Sequence, residues 1–496
     1  MILFICSTAV VGLLLYWCIQ PIFSVVRHIP EPKRWPLLQY NVDFMRTKDK
    51  LPLLRKWACM FKDGIFKVNF PKLSTGFIIN IIKPEHMRYV LGNPGYFERT
   101  GNLKKLFPLM GDGILTSSGK AHAFQKKLMA KAFSVDHIKL YVPRMNHHAR
   151  RLIERWVEKI GTVKEGKNLE VQEDCSNAVF DIFCDTGFGH HYDALNCNND
   201  VVRVFKEQVD TVTDLGKRFL YATFSFEWLK YFKINILDFS RAKTKRCEEI
   251  VEDIIAKKRE ILSDDSEFDR QTDLLSMLMK ARDDETNTGF TDKLLRDNVI
   301  TLMVASFETT GCAIPWVLYT FAMNLDAQGK ARDEINTMMR GREEVEFGDL
   351  SRMTFFNACV KEALRLHSPI PFVFRKTKQK CSIGGYEIPP NTAIMGNIMS
   401  NHRVEETYER ADEFLPERFL NGSGASVPAS YTTFGYGPYS CIGQHFAMVE
   451  IKVLVMHLLR KFYFTADPEF RTYETTSFIT IKAKPQLTLR LTAVDV

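Results

Sequence analysis

Apolar and polar positions fall into three patterns along this chain. The first 26 residues carry no charge, and Ile2 to Phe23 is a mostly apolar run. That run is long enough to cross a bilayer as a helix of about 20 residues, with Trp17 at an interface. From Glu85 to about Asn336, apolar residues recur mostly at helical spacing, as in His147–Ile160, Val201–Gly216 and Arg241–Ile261. Strand-like patterns lie near the two ends. Gly64–Phe70 and Gly76–Ile81 predict a β pair, and Ser382–Ile388 and Gln486–Thr492 predict later strands. Ser263–Thr272, Arg282–Gly289 and Asn421–Ser426 are polar or glycine-rich and predict loops. The whole predicts a mainly α fold with minor β, preceded by a single N-terminal transmembrane helix.

Val299 to Phe321 is almost wholly apolar, and Glu308 is its one charge. A second membrane span would hold that carboxylate at a cost of about 2.5–3.5 kcal/mol. Pro315 would also interrupt the helix ladder. The alternative is a core helix of a large body, starting near Thr291 or Asp292.

His28–Leu38 is punctuated by proline and predicts a stiff linker. The predicted organisation is an anchor over 1–26, a linker over 27–40 and a catalytic body over 41–496. Arg27, Lys33 and Arg34 follow the anchor and place that body on the cytoplasmic side. A cleaved signal is the competing reading; it would want a basic start and a shorter core, and the opening MILFIC has no basic residue.

The 496 residues suffice for a large core without disulfides. The 11 cysteines are scattered and never form a C-x-x-C pair. That excludes a disulfide framework and fits a reducing compartment. His147-His148 and His190-His191 have no metal-like partners at useful spacing, so surface or helix positions are expected. Net charge is +8, spread without an aromatic-basic platform. Nucleic acid is therefore not expected as a partner, whereas a membrane surface or an acidic protein is.

Four segments carry chemistry. In Phe434–Gly443, FGYGPYSCIG, Gly435 and Gly437 let the backbone turn tightly before Cys441. A helical pattern follows from Phe446 to Leu459. A cysteine at a helix N-terminus meets unpaired N–H groups that favour a thiolate, a ligand for haem iron. In Glu308-Thr309-Thr310 an acid and a hydroxyl lie side by side in apolar surroundings, a pair suited to relaying protons. In KEALRLHSP, Glu362 and Arg365 are three apart on one helix face. FLPERF offers Arg418 as a second arginine for the same carboxylate.

The order ETT, E-x-x-R, P-E-R-F and F-x-x-G-x-x-x-C-x-G resembles the cytochrome P450 superfamily of haem-thiolate monooxygenases, microsomal type. The likeness extends through GDGILTSSGK and AKAFS, Gly111–Lys120 and Ala130–Ser134. It implies the family's α-rich fold around a buried haem b, with Cys441 as axial ligand and Phe434 and Gly435 in the haem-facing bend. It implies that Thr309 and Glu308 handle protons during oxygen activation. Glu362, Arg365 and Arg418 match a structural triad, and Arg375 matches a haem-propionate contact. The family's C-helix Trp-x-x-x-Arg stands here as His122-x-x-x-Lys126, and Tyr439 replaces a basic residue before the cysteine. These three are the expected, altered propionate contacts, with His122 positive only when protonated. Ser306 replaces a customary glycine and narrows the expected pocket. Ala305 is not the glutamate of the branch that esterifies its haem. The implied partners are NADPH-cytochrome P450 reductase, cytochrome b5 and a lipophilic small molecule at the endoplasmic reticulum membrane. The same fold also hosts peroxide-rearranging isomerases and dehydratases, and a haem or lipid binder without turnover is the remaining alternative. The pocket walls are expected in Phe97–Leu115, Thr301–Thr309, Ser368–Phe374 and Thr475–Ile479.

Overall fold

The computed structural model describes residues 26–32, 50–69, 77–100, 103–104, 108–161, 166–197, 200–213, 238–264, 270–420, 430–467, 474–475 and 480–494. The apolar run of residues 1–25, most of the linker, the Asn421–Ser426 loop and residues 476–479 of the expected pocket lie outside them.

The described residues are mostly helical, with strands toward the two ends, as the patterning predicts. Strands β1 (Ile65–Asn69) and β2 (Phe77–Ile81) form the expected antiparallel pair. They join β3 (Phe97–Glu98), β5 (Phe372–Thr377) and β8 (Ala393–Asn397) in a sheet of order β1-β2-β8-β5-β3. A second sheet orders β4 (Lys167–Glu170), β12 (Thr488–Ala493) and β9 (Phe462–Thr465) as β4-β12-β9. The single strand expected over Ser382–Ile388 is instead a hairpin, Cys381–Ile383 with Tyr386–Ile388. Gly384 and Gly385 turn it, both at positive φ, the geometry a two-residue hairpin needs.

The apolar stretch around Glu308 is the core helix Asp292–Met323, and 83% of its most apolar window is buried inside the body. Thr291 caps it by accepting from the Leu294 N–H. The helix passes through Pro315 without ending. It packs against the helices Gln172–Phe188, Asp238–Leu262 and Gln444–Lys461. At Gly311 a Cβ would stand 2.8 Å from Ser176 Oγ, so the glycine lets the first of these lie close.

One buried histidine makes the fold acid-sensitive. His402 Nε2 accepts the Thr432 N–H at 2.9 Å, and its Nδ1 donates to the Arg365 carbonyl at 3.1 Å. That use of both nitrogens requires a neutral ring. Burial, with Arg365 close by, pushes its pKa down to about 3. The unfolded chain, with an ordinary value near 6.5, then binds more protons than the folded one below that pH. Stability is complete above about pH 6.5 and falls by up to about 1.4 kcal/mol per pH unit toward pH 3 from this group. Thermal midpoints measured from pH 7.5 to 5 should fall less steeply for His402→Gln than for wild type. Parallel slopes would clear His402 of the effect.

Candidate active site

Cys441 sits on a loop closed by its own backbone. Its N–H donates to the Phe434 carbonyl, and the Gly435 N–H to that of Thr432, both at 2.8 Å. Gly435 and Gly437 have φ of 74° and 71°. A Cβ on Gly437 would stand 2.4 Å from the Leu91 carbonyl oxygen, so only glycine lets this loop lie on the end of the Pro84–Gly92 helix. The cysteine lies two residues before Gly443, the cap of the Gln444–Lys461 helix. Its side chain keeps accessible surface. Protein nonetheless packs around it closely enough that burial raises the thiol pKa, against the Gly443 N–H, Lys126 and Arg99. The sulfur is thus accessible yet closely surrounded by protein. Burial works against the helix end here, and the charge of a bound metal would favour the thiolate.

The core helix shows a matching break in its burial. Ala305, Ser306 and Thr309 are half-buried between fully buried neighbours. Positions 305 and 309 stack one turn apart on one face. Thr309 Oγ1 donates back to the Ala305 carbonyl at 2.8 Å, and Ser306 Oγ to that of Met303 at 3.0 Å. Glu308 points elsewhere. It accepts from Thr480 Oγ1 at 2.6 Å and pairs with Lys482 Nζ at 2.9 Å, both on the C-terminal segment. Glu450, fully buried on the cysteine helix, is held neutral by burial, which Thr310 offsets only in part.

Beside the cysteine loop lies a group of cations. The Arg99 and Arg375 guanidinium carbons stand 4.8 and 4.9 Å from the Tyr439 ring centre. Arg99 donates to the carbonyls of Ile114 and Leu115. Arg375 donates to its neighbour Phe374, and its buried Nε has no hydrogen-bond partner among the described residues. Neither arginine has a carboxylate partner among those residues. Burial lowers Arg99 to about 9, with Arg375 adding to the effect, and lowers Arg375 to about 10. Buried guanidinium groups without an acid are costly, so this corner is built for an anion.

Three expected contacts meet protein groups in the cofactor-free chain. Lys126 Nζ is spent on the Pro438 carbonyl and on both oxygens of Ser440, at 2.8, 3.2 and 3.2 Å. The Tyr439 hydroxyl accepts from the Gly119 N–H at 3.0 Å and shares a hydrogen bond with Ser118 Oγ at 3.1 Å. Both residues brace the cysteine loop against the Gly119–Ala130 helix. His122 lies against Tyr439, with ring centres 4.5 Å apart. Burial, then the charges of Arg99, Lys126 and Arg375, push its pKa down to about 3. In the cofactor-free chain the ring is thus neutral and packs against Tyr439. Arg99, buried beside Tyr439, was missed by sequence reasoning.

Glu362, Arg365 and Arg418 meet as expected. Glu362 and Arg365 are completely buried. Arg365 Nε and one terminal nitrogen grip the two Glu362 oxygens, each at 2.7 Å. The other N–H groups donate to the carbonyls of His402, Ala411 and Glu413. All five guanidinium donors are thereby used. Glu362 also accepts from the Leu415 N–H at 3.0 Å and Arg418 Nε at 3.2 Å. The knot ties the Thr354–Leu366 helix to the segment that leads into the cysteine loop.

Comparison with known proteins decides what this arrangement is. A family model described as Cytochrome P450 matches residues 29–489. The chain belongs to the cytochrome P450 family. Cytochrome P450 4d10 of Drosophila mettleri is 26% identical over 88% of this chain and 86% of its own length. Cytochrome P450 4B1 of Homo sapiens is 28% identical over 83% of this chain and 79% of its own. The crystal structure of the cytochrome P450DA heme domain superposes with a TM-score of 0.82, covering 94% of this chain and 98% of that one at 22% identity. The protein is thus a P450 monooxygenase, an oxidoreductase of the haem b class. The residues fit that group: Cys441 keeps accessible surface for an iron, and two buried arginines without acids among the described residues could pair with its carboxylates.

Proposed function

We propose that this chain inserts one atom of O2 into a lipophilic small molecule at the endoplasmic reticulum membrane. Residues 1–26 anchor it as a single pass, 27–40 form a linker, and 41–496 form the catalytic body on the cytoplasmic side. NADPH supplies electrons through a diflavin reductase, with cytochrome b5 as a second donor. The balance is R–H, O2, two electrons and two protons giving R–OH and water. The observation that carries this reading is Cys441, accessible on its glycine loop beside the Arg99–Arg375 corner.

The bound haem supplies the place where dioxygen is reduced and cleaved. Cys441 would hold its iron, Arg99 and Arg375 would pair with the propionates, and Phe434 and Gly435 would shape the loop around the ligand cysteine. Thr309 holds a proton at Oγ1 on the half-buried face of the core helix. Glu308 does not touch that hydroxyl; its carboxylate accepts from Thr480 and pairs with Lys482, and would pass protons inward from that junction. Lys482 is 24% exposed and opens that junction to water. The Thr309–Glu308 pair is thus a half-buried hydroxyl backed by an acid with a route outward.

Product formation that depends on both NADPH and a diflavin reductase tests the function, after a spin-state screen of lipophilic compounds finds a ligand. Thr309→Ala should still load haem and bind that ligand. Its product per NADPH should fall by at least about tenfold, with peroxide rising in compensation. Unchanged coupling would remove Thr309 from proton handling. Lys482→Met should slow turnover less, because water can still reach Glu308.

A further inference from the structure

The two histidine pairs that lie far apart in sequence are neighbours in the fold. His148 lies on the inner face of the Val135–Ile160 helix, with a side chain only 1% exposed. Asp185 lies in the last turn of the Gln172–Phe188 helix. That helix ends at Gly189 in the left-handed conformation, with φ of 66°. The reversal carries His191 back over the end of its own helix. His148 Nε2 is 3.1 Å from one Asp185 oxygen, and His191 Nε2 is 3.7 Å from the other. One donor atom from each of the three residues lies within 4.8 Å of the others. Two imidazoles and a carboxylate are the donor set of borderline divalent ions, zinc above all.

We propose that His148, Asp185 and His191 bind one divalent ion of the zinc type, with water completing the shell. A tetrahedral ion with bonds of about 2.0–2.1 Å sets its donors about 3.3 Å apart. His148 and Asp185 already meet that spacing. His191 has a side chain 62% exposed, so a rotamer change is free to close the set and its open side admits the ion. The competing group is Arg144. Its NH1 is 3.6 Å from the Asp185 oxygen that faces His191, a loose pair, and donates at 2.8 Å to the Asp185 carbonyl. The second bond survives when the ion takes the carboxylate. Asp181 is not available as a fourth ligand, because the N–H groups of Ala194 and Leu195 occupy its two oxygens. The site would staple the Val135–Ile160 helix to the turn that leads on toward the Asp200–Thr213 helix. It lies outside the haem corner and takes no part in the oxygen chemistry.

The test uses tag-free, haem-loaded full chain stripped with a chelator, then titrated with zinc chloride against a chromogenic competitor. The site predicts one ion per chain and a thermal midpoint that rises with zinc, since an ion bound only by the folded state stabilises it. His191→Ala should fold normally, because that side chain is exposed, yet weaken zinc by at least about tenfold and abolish the rise. Asp185→Asn should do the same if it loads haem as wild type does. His190→Ala and Cys197→Ser should change nothing. Absence of stoichiometric zinc, or full zinc affinity in His191→Ala, would overturn the proposal and leave a hydrogen-bonded ion pair.

Discussion

Replacing Arg365 by methionine should leave almost no haem-loaded protein. The substitution removes five donors at once. Glu362 keeps its charge in a fully buried place, held only by the Leu415 N–H and Arg418. Breaking a buried pair by deleting one partner costs about 3–5 kcal/mol. Three carbonyls, on His402, Ala411 and Glu413, lose their donors as well. Typical domains have only about 5–15 kcal/mol in total. Arg365→Lys should fail nearly as badly, since a single ammonium cannot span both Glu362 oxygens and those carbonyls. Arg418→Ala should cost much less, because the Arg365 grip on Glu362 is intact without it. The double variant Glu362→Leu/Arg365→Met should recover part of the loss, having no stranded charge. Soret absorbance per milligram and the thermal midpoint read all four. Wild-type values for Arg365→Met would show that the knot contributes nothing to the fold.

The catalytic face was legible because its chemistry is written in short stretches. The Cys441 loop needs glycines at fixed places, and the core helix needs an apolar run with one acid. Both constraints act over a few residues, so a linear reading finds them. Arg99 was not legible for the opposite reason. Strand β3 pairs antiparallel with β5, setting Phe97 against Thr377 and Glu98 against Lys376. Continuing that register brings Arg99 opposite Arg375. Nothing near Arg99 in sequence announces a partner in a strand so distant along the chain. Tyr439 and Lys126 were placed in the right neighbourhood, and in the cofactor-free chain they hydrogen-bond the cysteine loop and its neighbours. Counting basic residues near the cysteine cannot tell that loop carbonyls use the lysine's protons. The histidine pairs lie on a helix and at the surface, as expected, but their proximity was not legible, because His148 and His191 meet only where Gly189 reverses the chain. The hairpin over Cys381–Ile388 was legible in principle, since two adjacent glycines signal a two-residue turn.

Haem retention should rest on Arg99 and Arg375, and hardly on His122 or Lys126. Both arginines stand over Tyr439 with no acid among the described residues, so in the cofactor-free chain they repel one another. Two propionates turn that repulsion into paired charge. A hydrogen bond to a charged group contributes about 1.5–3 kcal/mol, equivalent to about 10- to 150-fold in affinity. Arg375→Met should therefore release haem to an apo-acceptor faster by a factor in that range. Its one described hydrogen bond is to its neighbour Phe374, so the cofactor-free variant should be no less stable than wild type. That opposition, weaker haem in an undamaged apoprotein, separates a cofactor contact from a structural one. Arg99→Met should also release haem faster, with a cost to the apoprotein from the carbonyls of Ile114 and Leu115. Lys126→Met should loosen the cysteine loop with a smaller change, below about tenfold, because its protons already serve that loop. In the cofactor-free chain burial and the neighbouring cations push the His122 pKa down to about 3, and the ring packs against Tyr439. The release profiles of wild type and His122→Trp should then run parallel from pH 5.5 to 8.5. An Arg375→Met protein that kept its haem as wild type does would locate the propionate contact elsewhere.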